Sequence, residues 1–305
     1  TVDSVLIVWP SGKKQQIKQL KPNQLLTVTE TEAADNIKTA SLQAPDETFS
    51  IQPLAINWQH KENAFVDYNV QYLLPHALST RGPKMAVTDV NADGLDDVYV
   101  CGAKGQPGAL LLQNSSGGFQ IASSNTFNTD AAFEDVDALF FNANNDALPD
   151  LYVVSGGNEY KNGDSLLADR LYINKGNGQF IKSTNALPNT LMNKSAVASA
   201  DFDSDGDADL FVTALANPVA YGLPQDGFLL LNNGAGVFAL NKQMQATFQQ
   251  IGMATTAQAA DINNDKLTDI VVAGEFMPIT IFINQKGSFT KKTIPNSNGW
   301  WQYLA

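Results

Sequence analysis

Residues 201–209 read DFDSDGDAD, and three variants of this stretch recur along the chain. The variants are DVNADGLDD at 89–97, NANNDALPD at 142–150 and DINNDKLTD at 261–269. Their first residues lie 53, 59 and 60 positions apart in chain order, a period typical of an array of similar structural units. The sequence therefore predicts four repeats, each marked by one acidic nine-residue loop.

Oxygen-bearing side chains occupy positions 1, 3, 5 and 9 of each loop, which suits a hard cation that takes about six to eight oxygen ligands. The carbonyl of position 7 supplies a further oxygen, and glycine at position 6 permits the sharp bend. An aspartate at position 9 takes the part that a glutamate at about position 12 plays in an EF-hand. The predicted cofactor is calcium. The expected ligands are Asp89, Asn91, Asp93, Leu95 and Asp97; Asn142, Asn144, Asp146, Leu148 and Asp150; Asp201, Asp203, Asp205, Asp207 and Asp209; and Asp261, Asn263, Asp265, Leu267 and Asp269.

The alternative is that these loops are plain acidic turns, because Asp, Asn and Gly dominate turns in any case. Four such loops in phase, each followed by an apolar run, favour calcium. The loops at 142–150 and 261–269 should bind more weakly, because carboxylate number and loop rigidity set the affinity. The first of them has Asn142 and Ala147 in place of aspartate and glycine, and the second has Lys266 at the glycine position.

The residues that follow each loop predict an all-β fold. Apolar runs at 97–100, 150–154, 209–212 and 269–272 favour strands, and a second apolar run follows each of them. A glycine-containing turn then leads to a fourth strand, and a strand of small residues such as 85–88 or 196–200 precedes the loop. Four antiparallel strands per repeat of this length are typical of a β-propeller blade. A solenoid or an unrelated sandwich is the alternative.

The repeats resemble the FG-GAP or VCBS-type blades of calcium-binding β-propellers, and the segment VLIVWPSG at 5–12 resembles the ASPIC/UnbV element. Relatives of cartilage acidic protein, among them secreted proteins of the Bacteroidetes type, combine the two. The motifs LLPH at 73–76, GAKGQPG at 102–108 and SGGNE at 155–159 carry that similarity. The resemblance implies a calcium-bearing scaffold and no defined reaction.

The predicted organisation is an ASPIC/UnbV-like β-meander at 1–30, a linker at 31–52 and propeller repeats at 53–305. The meander is predicted to have strands near 4–9, 14–20 and 25–29, and residues 299–305 read as the inner strand of a further blade. Those four strands could form a fifth sheet that closes a ring. The alternative is that the chain is a fragment of a larger propeller, in which case exposed blade edges would favour oligomers.

Composition points to a folded protein outside the cytoplasm. The net charge of −12 arises largely from the predicted metal loops, and no apolar run is long enough to span a membrane. Calcium loops of modest affinity fill where calcium is near millimolar, so we expect an extracellular, cell-surface or periplasmic location. The overall acidity argues against nucleic acid as a partner.

Candidate catalytic groups are sparse, and we predict none. The two histidines, His60 and His76, show no metal-ligand spacing, although His60 with Asp67 could form a base and its orienting group. The predicted function is therefore a scaffold that binds an extracellular protein or glycan. A polysaccharide-active lyase or hydrolase, or a purely structural module, is the alternative.

The long loops between the second and third strands of each repeat are the predicted recognition face. They lie at the end of the blades opposite the metal loops, and function tends to reside in loops held by a rigid scaffold. The residues expected to rim this face are Lys104, Gln106, Asn158, Glu159, Tyr160, Tyr221, Glu275 and Met277. The alternative is that these are ordinary surface loops.

Overall fold

The computed structural model describes residues 4–21, 24–34, 56–123 and 126–304. The chain divides into two compact units, Thr1–Pro53 and Leu54–Ala305. Most of the predicted linker at 31–52 lies outside the described residues.

The first unit contains one β-hairpin. Strands β1 (Ser4–Val8) and β2 (Lys14–Lys18) pair antiparallel, and a 3₁₀ turn at Glu30–Glu32 precedes a two-residue bridge between Lys14 and Ala34. The third strand predicted near 25–29 does not form. Leu25 is 97% exposed, so this segment has no apolar surface to pack on, and Ala34 pairs with Lys14 instead.

The second unit contains four consecutive antiparallel sheets, each built on four strands in chain order, and the fourth sheet has one additional short strand. The first is β3 (Met85–Thr88), β4 (Asp97–Val100), β5 (Ala109–Gln113) and β6 (Phe119–Ile121). The second is β7 (Asp135–Phe141), β8 (Asp150–Ser155), β9 (Arg170–Asn174) and β10 (Phe180–Lys182). The third is β11 (Lys194–Ala200), β12 (Asp209–Ala214), β13 (Gly227–Asn232) and β14 (Phe238–Leu240). The fourth is β15 (Met253–Ala260), β16 (Asp269–Met277), β17 (Thr280–Asn284) and β18 (Phe289–Thr293). The predicted all-β fold of four-stranded antiparallel sheets is confirmed.

Each acidic loop connects the first and second strands of its sheet. The position 9 aspartate is the first residue of the second strand and pairs with the last residue of the first strand, as Asp209 pairs with Ala200. The same register holds for Asp97 with Thr88, Asp150 with Phe141, and Asp269 with Ala260. Strand pairing therefore fixes both ends of each loop.

The core lies between neighbouring sheets. Side chains such as Phe211 and Phe282 fill the space between the third and fourth sheets, and Tyr152 and Leu210 that between the second and third. The first strands β3, β7, β11 and β15 lie next to one another in succession. Alanine and serine dominate β11, and such small side chains let neighbouring strands approach closely.

The fifth sheet predicted from the two chain ends does not form within the described residues. Strand β19 (Gly299–Trp300) pairs with the extended end of β16, through Glu275 and Met277, and so belongs to the fourth sheet. The hairpin β1–β2 is a two-stranded sheet of its own. The reason is the length of β16, which runs past its partner β17 and offers its own edge to residues 299–300.

The remaining regular structure consists of short 3₁₀ turns at Asp67–Asn69, Thr126–Asp130, Ser165–Leu167 and Gln245–Phe248. Among the described residues, no helix has the length and apolarity needed to cross a lipid bilayer.

Candidate functional site

The loop at 201–209 folds around the carboxylate of Asp201. Its Oδ1 accepts a hydrogen bond from the backbone N–H of Asp205 (3.2 Å), and its Oδ2 accepts one from Gly206 (3.0 Å). Asp89 accepts from Asp93 and Gly94 in the same way, and Asp261 accepts from Asp265 and Lys266. The position 1 carboxylate therefore organises the turn in three of the four loops.

Positions 3 and 5 form the same local turns in all four loops, with each side-chain oxygen accepting from the N–H two residues further on. In the loop at 201–209, Asp203 accepts from Asp205 (3.2 Å) and Asp205 accepts from Asp207 (2.9 Å). Asparagine replaces aspartate at position 3 in the other loops and keeps the bond. The corresponding acceptors are Asn91 and Asp93, Asn144 and Asp146, and Asn263 and Asp265. These local turns fix the backbone of each loop around its side-chain oxygens.

The position 9 aspartate is fully buried in every loop and accepts two backbone hydrogen bonds. Asp209 Oδ2 accepts from Phe202 (3.0 Å) and Oδ1 accepts from Asn232 (2.8 Å). Burial, opposed by these bonds and assisted by the charges of Asp203 and Asp205, raises the pKa of Asp209 to about 7. The other three form the same pairs of bonds, namely Asp97 with Val90 and Gln113, Asp150 with Ala143 and Asn174, and Asp269 with Ile262 and Asn284.

Two observations test whether the loops fit a cation. Carboxylate oxygens of Asp201, Asp203 and Asp209 lie within 4.8 Å of one another, the only such group of three acidic, histidine or cysteine side chains among the described residues. In the loop at 142–150, the buried Oδ1 of Asn142 has no hydrogen-bond partner. Clustered hard oxygens and an unused acceptor fit calcium, whose ligands are carboxylate, amide and carbonyl oxygens.

Positions 4 and 6 of every loop adopt left-handed backbone conformations. At position 6, φ is +84° at Gly94 and +94° at Gly206, but the same region is forced on Ala147 (+68°) and Lys266 (+72°). Lysine in place of glycine at position 6 of the loop at 261–269 could have altered the turn. The structure shows the same turn, held by a residue that adopts this conformation at a cost of about 1 kcal/mol or more.

Lys266→Gly should therefore stabilise the protein by about 1 kcal/mol, because glycine adopts positive φ without a steric penalty. Urea unfolding of the variant and the parent would measure the difference. The matched reverse change is Gly206→Ala, where no atom lies within 4 Å of the added Cβ, so the loss reports backbone strain alone. Unchanged stability in both variants would contradict the strain argument.

Asparagines at the ends of the third strands join neighbouring repeats, a role that we did not predict. Asn232 Nδ2 donates to the carbonyl of Ala143 in the preceding loop (2.8 Å) and to that of Ala208 in its own loop (3.1 Å). Asn174 joins Val90 and Pro149, and Asn284 joins Phe202 and Thr268, at 2.8 to 3.0 Å. We call these three residues the inter-repeat asparagines. Their recurrence before each glycine turn is visible in the sequence and could have signalled them.

The face opposite the acidic loops is crossed by residues 56–84, which we call the strap. Asn63 donates to Glu159 Oε1 (2.8 Å), and Gln71 donates to the carbonyl of Pro218 (2.6 Å). Further along, His76 Nε2 lies 2.9 Å from Glu275 Oε1. The strap therefore contacts the second-to-third-strand loops of the second and third sheets and the end of β16.

The structure corrects the predicted surface position of four recognition residues. Asn158, Tyr160, Glu275 and Met277 are buried, so their side chains do not rim an open face. The other four are partly exposed, namely Lys104, Gln106, Glu159 and Tyr221. Gln106 binds the strap through the N–H of Lys61 (2.6 Å) and the carbonyl of Gln59 (2.8 Å). The partner-binding role of these residues stays a prediction.

A second cluster lies under Lys104. Its N–H donates to the buried Glu134 (2.7 Å), and its ammonium sits 4.4 Å from the centre of the Tyr160 ring. Burial raises the pKa of Glu134 to about 9, and the charges of Glu159 and Glu62 act in the same direction. Glu134 is therefore protonated at neutral pH.

Stability should consequently fall as pH rises from about 5 to 9, by up to about 1.4 kcal/mol per unit. The unfolded chain releases this proton near the ordinary glutamate pKa, whereas the folded chain holds it until about pH 9. Over that window the folded state binds more protons, so raising the pH favours unfolding. Glu134→Gln should flatten the slope in a series of urea titrations. Asp96→Asn, at an exposed acid in the first loop, is the control. An equal slope in parent and Glu134→Gln would refute the assignment.

Neither histidine forms the arrangement considered from the sequence. His60 Nε2 lies 2.9 Å from Glu62, while Asp67 is buried and accepts from Ser79 within the strap. His76 instead meets Glu275, which also accepts from the Tyr221 hydroxyl (2.5 Å). This contact could not be predicted from the sequence, because His76 and Glu275 are 199 positions apart.

Comparison with known proteins adds two family matches. Residues 142–212 match the FG-GAP-like repeat, and residues 1–35 match the ASPIC and UnbV family. The resemblance stated from the sequence is thereby confirmed for these segments. Among curated proteins, none matches the sequence.

Two solved structures are similar to the chain at low identity. A crystal structure of BBS1N in complex with ARL6DN, soaked with lead, is 16% identical with a TM-score of 0.40, over 72% of this chain and 59% of that one. The crystal structure of the V. cholerae biofilm matrix protein Bap1 is 15% identical with a TM-score of 0.31, over 82% of this chain and 44% of that one. The chain thus spans less than two thirds of either.

Proposed function

We propose that this protein is a calcium-stabilised β-propeller scaffold at the cell surface or outside the cell, which binds a protein or glycan partner. One observation carries the proposal: the position 5 carboxylate forms the same turn in four loops in phase, and one of these loops brings three carboxylates within 4.8 Å of one another. Bound calcium would neutralise these carboxylates. The chain itself supplies Asp201, Asp203 and Asp209 as the strongest set.

The burial of the position 9 aspartates supports a structural role for the metal. Each is already fixed by two backbone N–H groups, so the loop presents its oxygens before any ion binds. A loop of this kind stabilises the sheet without taking part in a reaction. Modest affinity would restrict it to compartments where calcium is abundant, and this supports the proposed location.

A polysaccharide-active enzyme is the second candidate, and one observation favours it. His76 lies between the buried carboxylate of Glu275 and a cavity that contains Arg81 and Lys84, away from the metal loops. A histidine oriented by a carboxylate can act as a general base. Release of unsaturated or reducing sugars from polysaccharides would separate this candidate from a binding module.

The test is a binding screen against glycan and extracellular-protein arrays, in calcium and in excess EGTA. Reproducible binding that weakens in EGTA would support the scaffold. Binding to nothing on either array, by protein that melts cooperatively in calcium, would contradict it and leave a structural module within a larger protein. Asp96→Ala is the control variant, and its binding should equal that of the parent. This exposed acid lies at position 8 of its loop, where no ligand is expected.

A further inference from the structure

A cavity of about 740 Å³ lies between the strap and the residues that follow β18. Its walls include His76, Arg81 and Lys84 on one side, and Trp300, Gln302 and Tyr303 on the other. The volume falls within the range of small-molecule sites, which is about 300 to 1,000 Å³. The cavity is separate from the four metal loops and from the predicted recognition loops, except that Tyr221 and Glu275 lie behind His76.

The charge of the cavity is opposite to that of the chain. Arg81 and Lys84 line it, no acidic residue does, and the protein as a whole carries −12. Among the described residues, no carboxylate lies within 4.0 Å of either cation. The contact recorded for the Arg81 guanidinium is a long one, 3.5 Å to Gln302 Oε1. Two cations held together on an acidic protein provide a site for an anion.

The nearest acids do not compete for this site. Both oxygens of Glu275 are engaged, one with His76 (2.9 Å) and one with Tyr221 (2.5 Å), and its side chain is fully buried. Asp137, which interacts with Lys84, accepts a hydrogen bond from the N–H of Val197 (3.0 Å). Glu275 and Asp137 partly offset the charges of Arg81 and Lys84, but neither acid lines the cavity, so the cavity surface of both cations is free to bind a ligand.

Aromatic rings form the opposite wall. Trp300 is 42% exposed and Tyr303 is 69% exposed. Trp300 is held in place, because its backbone pairs with Glu275 and its ring packs edge-on against Phe276 at 4.9 Å. A fixed and exposed ring offers a flat apolar surface on which the apolar face of a sugar ring can stack.

We propose that this cavity binds an acidic sugar, with its carboxylate on Arg81 and Lys84 and its ring against Trp300 and Tyr303. The guanidinium presents parallel N–H donors that match a carboxylate, and Gln302 can hydrogen-bond sugar hydroxyls. The inference rests on the proposed binding function and specifies its ligand class as a uronate-containing glycan.

The experiment is isothermal titration of the protein in calcium with galacturonate trimer. The matched probes are the fully methyl-esterified trimer, which has no charge, and a sulfated neutral trisaccharide. Arg81→Gln should weaken binding of the trimer about 10- to 100-fold, the range for a lost charged hydrogen bond. Trp300→Ala should weaken it about 2- to 10-fold. Lys291→Gln, at an exposed lysine on β18, should leave it unchanged.

Lys84→Gln is the second variant, and it replaces Arg81→Gln in the test if Arg81→Gln has a much lower melting temperature than the parent. It should also weaken binding of the trimer. Equal affinity for the trimer and its methyl ester, or binding of the sulfated probe alone, would overturn the assignment to a carboxylate. Calcium could itself bridge the uronate to the loops. Loss of binding in Asp203→Ala with full binding in Arg81→Gln would therefore also overturn it.

The arrays distinguish this inference from the proposed function. Array binding to another ligand, with no binding of the trimer, would refute the acidic-sugar site and leave the scaffold intact. Absence of any partner would refute both.

Discussion

Removal of calcium is expected to lower the free energy of unfolding by about 3 kcal/mol. A ligand that binds only the folded state adds about 1.4 kcal/mol per site at ten times its dissociation constant. Four such sites would contribute about 5.6 kcal/mol, but the loops at 142–150 and 261–269 have fewer carboxylates and should contribute less. Without the ion, the clustered carboxylates of Asp201, Asp203 and Asp209 repel one another and oppose folding.

Calorimetric melting with calcium, with excess EGTA and with magnesium measures this loss. Calcium should restore the melting temperature, and magnesium should restore little of it, because magnesium demands near-octahedral geometry. Asp203→Ala should reproduce part of the loss, Asp265→Ala less, and the control Asp96→Ala none. A melting temperature that EGTA does not change, in protein shown to be free of metal, would contradict calcium binding. The loops would then be plain acidic turns.

Asp209→Ala should destabilise the protein by about 4 kcal/mol, and most of that loss should persist in EGTA. The substitution leaves the buried N–H groups of Phe202 and Asn232 without acceptors, and each such group costs about 1–3 kcal/mol. The expected effect is a large part of the stability of an ordinary domain. Urea unfolding in calcium and in EGTA would separate the two contributions.

Asp203→Ala is the matched comparison within the same loop. Asp203 accepts one bond, from the N–H of Asp205, in the partly exposed loop. Its effect should therefore shrink in EGTA, whereas that of Asp209→Ala should not. If both losses vanished in EGTA, the position 9 aspartates would act through the metal alone, and the structural role assigned to their two backbone bonds would be wrong.

The strands and turns that depend on short stretches of chain were predicted from the sequence. The second strand of every sheet begins at the predicted aspartate, and a fourth strand follows each glycine-containing turn as expected. Local turn chemistry and β-branched runs determine these elements. The segment at 25–29 shows the limit. Its residues favour a strand, but a strand forms only where another segment packs against it. Leu25 is 97% exposed, so no described segment packs on it.

Contacts between distant segments could not be predicted. The strap joins residues such as Gln71 and Pro218, which are 147 positions apart, and its His76 contacts the buried Glu275. Neither hydrophobic period nor turn chemistry encodes which polar groups meet across such a distance. The cavity lined by Arg81 and Trp300 depends on the same long-range packing, and no sequence motif predicts it.

The inter-repeat asparagines make each repeat a directional unit. The second, third and fourth repeats each donate an amide from the third strand to the loop of the repeat before, and they meet there a position 2 carbonyl and an apolar side chain. Val90, Ala143 and Phe202 are covered in this way, whereas Ile262 in the fourth repeat is 45% exposed. Head-to-tail contacts of one kind build arrays of any length. A gene duplication or deletion could therefore add or remove one whole repeat and leave the contacts between the remaining repeats unchanged. The number of repeats is then free to vary in evolution, whereas the residues at the contact between repeats are constrained.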